Sequence, residues 1–195
     1  MASILLGLIK ITKTIKMKNL LKIIGVLILA FVGYVAYMLA NPVSPKETVG
    51  YNSDDLSLEV VYSRPYKKDR LIFGPEEKGA LVPFGKYWRT GANAATTFET
   101  SSDILFNGGK LPAGKYALFT FPYEDSWTVT LNSESDVFFA VSQPDTKLDV
   151  LKTSVDVEAL EKPLEQFTIE FSKDSLGVNM SMAWDKAVVS IPINQ

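Results

Sequence analysis

The chain has 195 residues, 47% hydrophobic and 22% charged, enough for one domain with a segment added. It has no cysteine and no histidine, which excludes disulfides, thiolate zinc sites, lipoprotein-type acylation and thiol nucleophiles, and removes the side chain most used as a general base near neutral pH. No acidic residue occurs in the first 40, while beyond them 15 Lys and Arg face 22 Asp and Glu, a balance of −7 that suits neither nucleic acid nor anionic lipid as a partner.

Residues 23–40 carry no charge. At about 1.5 Å per residue the run is about 27 Å long, close to the roughly 30 Å of a bilayer's hydrocarbon core. Leu20 and Leu21 extend it, Lys22 reaches for the headgroups, and Tyr34 and Tyr37 sit near the exit end, where amphipathic rings favour the interface. The rival is a cleaved signal peptide, whose apolar region spans about 7 to 15 residues and ends in small side chains. Here the run is longer, and Met38 stands where a small residue is needed for cleavage after Ala40. Residues 20–40 are therefore expected to be an uncleaved transmembrane anchor, with the lipid bilayer as partner. Lys10, Lys13, Lys16, Lys18 and Lys22 precede or open it, and basic flanks stay cytoplasmic. A single-pass inner-membrane protein follows, with a short cytoplasmic basic segment at 1–19 and its C-terminal domain in the periplasm or outside. Met17 opens a shorter anchor. Residues 1–16 are thus either an inner-leaflet stretch striped by Leu8, Ile11 and Ile15, or the product of a start placed too far upstream.

Residues 41–50, with two prolines and few apolar groups, are expected to be a stalk. From 51 to 195 period two dominates. Leu56, Leu58, Val60 and Tyr62 alternate with Ser57, Glu59, Val61 and Ser63, as in a half-buried strand. A second strand region, 98–106, is interrupted at Ser101-Ser102-Asp103 and closed by the hairpin signal Asn107-Gly108-Gly109. The turn Leu111-Pro112-Ala113-Gly114 launches 115–121, which is expected to pair with 127–131 across the tight stretch 122–126. In that hairpin Ala117, Phe119, Phe121, Trp127 and Val129 are placed on one face and Leu118 on the other. Residues 137–141 suggest a short strand, and 154–164 a helix or a single turn. Residues 167–171 alternate cleanly, and 176–184 and 187–193 are expected as two strands reversed at Asp185-Lys186. The sum is an all-β domain, an antiparallel β-sandwich or partly open barrel, preceded by one N-terminal transmembrane helix.

Residues 63–99 break the pattern. Arg64, Arg70 and Arg89 fall there beside Trp88 and Asn93, and a long aperiodic stretch in a compact domain is either functional or packed as a cover. Arg offers a planar fork for carboxylate or phosphate, Trp a stacking face, and Asn a hydrogen-bond pattern. Arg64, Arg70, Trp88, Arg89 and Asn93 are therefore the candidate ligand-binding set. Against it stands a bracing role: Trp88 in the core, Arg64 and Arg89 paired with carboxylates such as Glu99 or Asp103, and Gly91 serving a positive φ. No catalytic residue, metal site or cofactor is indicated. The adjacent acids Asp54-Asp55, Glu76-Glu77 and Glu124-Asp125 fit solvated turns, and no Gly-rich loop joins a strand to a helix.

Tyr62-Ser63-Arg64-Pro65, Arg70-Leu71-Ile72-Phe73-Gly74, the run from Val82 to Asn93, Leu111-Pro112-Ala113-Gly114-Lys115-Tyr116, Trp127-Thr128-Val129 and Ala183-Trp184-Asp185-Lys186 together resemble the domain-of-unknown-function family numbered 2911, over roughly residues 45–195. The chain departs from the family's pattern at Tyr66-Lys67-Lys68-Asp69, where small residues are expected, and in its anchor, where a cleaved signal is common. The resemblance implies a bacterial, Bacteroidetes-type exported domain, with no activity and no site residues to carry over. Three functions remain open: a binding module for a sugar, peptide or anionic ligand; a structural or assembly protein that packs on an envelope partner; and an uncharacterised hydrolase working without His or Cys.

Overall fold

The computed structural model describes residues 17–41, 43–135, 140–173, 175 and 177–195. The stretch 1–16, Leu176 and most of the strand expected at 137–141 lie outside them, and Ala140 and Val141 belong to no strand. The chain divides into two units after Pro42.

The first unit holds helix α1 (Met17–Ala40), 24 residues with no acidic side chain in its first turn. It is long and apolar enough to cross a membrane, a test that a signal sequence also meets. Its apolar side chains point outward on every side, from Leu20 and Leu27 to Phe31 and Tyr34, so no polar stripe marks it as a surface helix of a soluble domain.

In the second unit, β1 (Lys46–Asn52) pairs along its whole length with β2 (Ser57–Ser63), from Lys46 opposite Ser63 to Asn52 opposite Ser57. This corrects the stalk expected over residues 41–50, because half of it is strand. As an edge strand β1 half-buries only Glu47, Val49 and Tyr51, too few apolar groups to stand out in composition. β2 alternates as expected, with Leu58, Val60 and Tyr62 buried.

Two short parallel strands follow, β3 (Phe73–Gly74) and β4 (Val82–Pro83). Then come β5 (Thr96–Thr100), β6 (Ile104–Phe106) and β7 (Gly109–Leu111), the last two joined through Asn107 and Gly108, both at positive φ. β8 (Gly114–Pro122) pairs antiparallel with β9 (Ser126–Asn132). β10 (Asp149–Lys173) and β11 (Val178–Asn194) are long. Among the described residues the large sheet runs β1-β2-β5-β8-β9-β10-β11-β6-β7. All of its pairings are antiparallel.

Three expectations change. Residues 154–164 are strand, neither helix nor turn. Val155 and Val157 alternate inward, and beyond them register breaks around Leu164, next to Pro163, blur the period. Asp185-Lys186 does not reverse the chain. Asp185 takes a left-handed φ of 54° opposite Leu164, a bulge within one strand, and β11 continues through it. Finally, the β8–β9 hairpin has the other register. Pro122 pairs with Trp127, leaving an even number of residues between them, so odd positions of β8 share a face with even positions of β9. Leu118 joins Trp127, Val129 and Leu131 in the main core, while Phe119 and Phe121 turn to the opposite face under the Tyr87 ring, 5.5 and 6.3 Å away. Phe119 is still buried, at 2% exposure.

β10 belongs to both halves of the sheet. Its first part, to Asp156, pairs with β9, and the rest, from Val157, pairs with β11. The sheet thus folds over one core that includes Leu58, Val60, Phe98, Phe106, Ile169 and Met182, without closing into a barrel. Tyr62 joins the halves: its hydroxyl accepts from the Ile169 N–H at 2.9 Å and donates to Glu47 at 3.1 Å. Burial pushes that phenol up to about 12.

Candidate functional site

The irregular segment lies over one end of the core, held there by the chain's three tryptophans. Trp88 stacks on Trp184 at 5.9 Å between ring centres and meets Trp127 and Phe167 edge-on at 5.6 and 4.9 Å, with Phe73 completing the box. Its indole N–H donates to Gly91 O at 3.0 Å, and its backbone exchanges two hydrogen bonds with Thr120. Trp88 is 7% exposed: its ring is core, as the bracing alternative holds, and only its edge borders the surface. Gly91 has φ 152°, and a Cβ there would meet Ser63 O at 2.9 Å, so the loop's close approach to β2 requires glycine.

Arg64 is also a brace. One guanidinium nitrogen pairs with Glu47 at 2.7 Å, Nε donates to Phe167 O at 3.1 Å, and Nη2 donates to Thr168 Oγ1 at 2.8 Å. The fork thereby ties β1 to β10. Its partner is Glu47, not Glu99 or Asp103, which face Lys115 and the Ala113 N–H respectively. Lys67 adds a second tie, at 2.8 Å to Asp185 in the β11 bulge.

The other candidates converge. A cleft of about 380 Å³ is bordered by Tyr66, Lys68, Arg70, Leu81, Arg89 and Asn93, with Trp88 and Trp184 at its base. Arg70 folds onto its own loop, donating to the carbonyls of Lys67 and Tyr66, and Arg89 donates to Asn93 O at 2.8 Å. Neither makes an ion pair among the described residues, and no carboxylate lines the cleft. Four non-glycine residues with positive φ, Lys68, Asp69, Thr90 and Asn93, lie in the two loops that wall it, against two elsewhere among the described residues. For Thr90, which is β-branched, this is a true outlier. Its hydroxyl, 3.1 Å from that of Thr120, and the Thr96 hydroxyl bonded to its carbonyl hold it in place.

The candidate set therefore divides. Arg70, Trp88, Arg89 and Asn93 share the cleft, whereas Arg64 is absent from its lining. Sequence reasoning missed Tyr66, Lys68, Leu81 and Trp184. The first three sit in the aperiodic segment itself, and Trp184 in one of the motifs quoted above. Asn93 also borders a groove of about 480 Å³ along β2 and β5, lined by Lys46 and Lys115 with Tyr62 in place of the tryptophans. No group of three or more acidic side chains suited to hold a metal occurs among the described residues.

Fold and site define a mostly β domain, one large antiparallel sheet folded over its core, with a cation-lined, tryptophan-based cleft and an apolar helix before it. Residues 44–193 match the family model described as Protein of unknown function (DUF2911), and the chain belongs to that family. No curated protein and no solved structure matches the chain.

Proposed function

We propose that the protein is a membrane-anchored, extracytoplasmic binding module whose cleft takes an anionic ligand, such as an acidic glycan or an acidic peptide, through Lys68, Arg70 and Arg89. One observation carries this: a domain with an excess of seven acidic residues keeps carboxylates out of the one cleft where two of its three arginines meet. Arg forks suit carboxylate or phosphate. Strained backbone in both walls is consistent with a preorganised site. The uncharged run and its lysine flank support an anchor with the domain exported.

The test is thermal unfolding of the full chain in detergent against a panel of acidic and neutral glycans and peptides. A ligand at a hundred times its Kd stabilises the native state by about 2.7 kcal/mol. Acidic members are expected to raise the midpoint and neutral ones not, with the rise lost in Arg70→Gln/Arg89→Gln. Equal rises with neutral compounds, or a rise that survives the double variant, contradict the assignment. The second reading, a structural or assembly protein of the envelope, is supported by Arg64 and Trp88, both spent on internal packing. A hydrolase is the weakest reading, since no carboxylate stands beside a hydroxyl in the cleft lining.

A further inference from the structure

Apolar exposure in the second unit is uneven. Of the eight large hydrophobic side chains that it exposes among the described residues, Val43, Tyr66, Leu71 and Leu81 gather at the cleft, while Tyr123, Val141, Leu148 and Val150 do not line it. Three of the first four line the cleft, and Leu71 bonds through its carbonyl to the Leu81 N–H at 2.9 Å. Lys68, Arg70 and Arg89 stand among them. Val43 is 60% exposed and follows the last residue of α1 by three peptide links, at most about 11 Å of chain. An apolar and aromatic rim interleaved with cations that make no ion pair among the described residues is the composition of a surface that rests in a lipid interface, and a short tether makes such a contact intramolecular.

We infer that the anion taken by the cleft is the phosphate headgroup of an acidic phospholipid in the membrane that α1 anchors, so that this end of the domain rests on the bilayer. The inference rests on the anion-binding cleft and the retained anchor proposed above. It runs against the domain's overall charge, which repels acidic lipid, so the attraction has to be local. In salt the interaction between exposed charges falls off over about 8 to 10 Å, which lets three cations at the surface act before the distant acids do. The acids in these loops reduce the local excess: Asp185 is paired with Lys67, but Glu165, whose carboxylate accepts from the Lys68 N–H at 2.9 Å, and Asp69, exposed beside Lys68, keep their charge, so Lys68, Arg70 and Arg89 outweigh them by one.

The chain has no cysteine, so Leu81→Cys gives a single site for a polarity-sensitive fluorophore, and Leu148→Cys an exposed control site. Both full-length variants are placed in lipid nanodiscs of phosphatidylcholine alone or mixed with phosphatidylglycerol. The label at 81 is expected to shift to the blue in the acidic discs and not in the neutral ones, with no shift at 148. The shift is expected to vanish in 0.5 M salt, which requires no further variant, and in Lys68→Gln/Arg70→Gln/Arg89→Gln. Glycerol phosphate or inorganic phosphate added to neutral discs separates the sources. If free phosphate shifts the label and acidic lipid does not, the cleft binds anions but the lipid assignment is overturned. If neither shifts it, the lipid assignment and the phosphate branch of the cleft proposal fail together, while acidic glycans and peptides are still decided by the thermal panel. A chain that fails to enter the discs removes the anchor and the inference with it.

Discussion

The β8–β9 hairpin and the segment between β2 and β5 lie against each other through the Trp88–Thr120 bridge, yet they are built on opposite rules. The hairpin satisfies its backbone by a ladder of regular pairs, and its side chains sort to two faces by position alone. The segment's regular pairing is limited to the short β3–β4 pair, with isolated bridges from Tyr66 to Gln166 and from Trp88 to Thr120 and scattered backbone bonds such as Gly85 N–H to Pro122 O. Side chains supply much of the rest: an indole to Gly91 O, a guanidinium to β10, an ammonium to Asp185. A backbone held by its ladder keeps its path when single exposed side chains change. One held by side chains fails where they are removed, and leaves others free to face solvent.

That contrast breaks most visibly at Trp88. Trp88→Ala removes a ring packed against four aromatic neighbours and is expected to cost about 3 to 5 kcal/mol in chemical denaturation. A loss below 1 kcal/mol would mean the segment is a detachable cover. Gly91→Ala places a Cβ 2.9 Å from Ser63 O and 3.2 Å from Thr96 Oγ1 at φ 152°, and is expected to cost about 1 to 3 kcal/mol. The same substitution at Gly108, which also has positive φ but open space around it, is expected to cost less.

How much of this was legible follows the same division. The strands at Leu56–Tyr62 and Phe167–Phe171, and the Asn107-Gly108 hairpin, were readable because alternation and turn chemistry are local. The hairpin register was not. It depends on the parity of the paired loop, and 122–126 gives no sign of where pairing ends. Asp185-Lys186 looked like a turn because Asp tolerates the left-handed conformation, which a bulge uses equally well. In the segment, composition pointed to Arg70, Trp88, Arg89 and Asn93. It could not separate Arg64, whose partners Glu47, Phe167 and Thr168 are distant in sequence.

A smaller effect sharpens the contrast at Tyr62, where a ladder residue does side-chain work. Its folded pKa of about 12 lies above the ordinary 10. The folded protein therefore keeps a proton the unfolded chain releases, and the resulting stabilisation is whole below pH 10 and lost as pH rises through 12. Stability measured across that range should fall in the parent and fall less in Tyr62→Phe. Equal slopes would mean the phenol is not shielded.

The smallest effect is the most informative. Arg89 makes one bond to its own loop, to Asn93 O at 2.8 Å, and Arg89→Lys is expected to change stability by less than about 0.5 kcal/mol. Arg64→Lys keeps the charge but loses the fork that serves Glu47, Phe167 O and Thr168 together, and is expected to cost about 1 to 3 kcal/mol. Denaturation curves of these two variants, run side by side on the full chain, test directly whether one segment contains both a brace and an open site. The account predicts a clear loss for Arg64→Lys and almost none for Arg89→Lys. Equal losses, or the larger loss at Arg89, would contradict it and assign the whole segment to bracing.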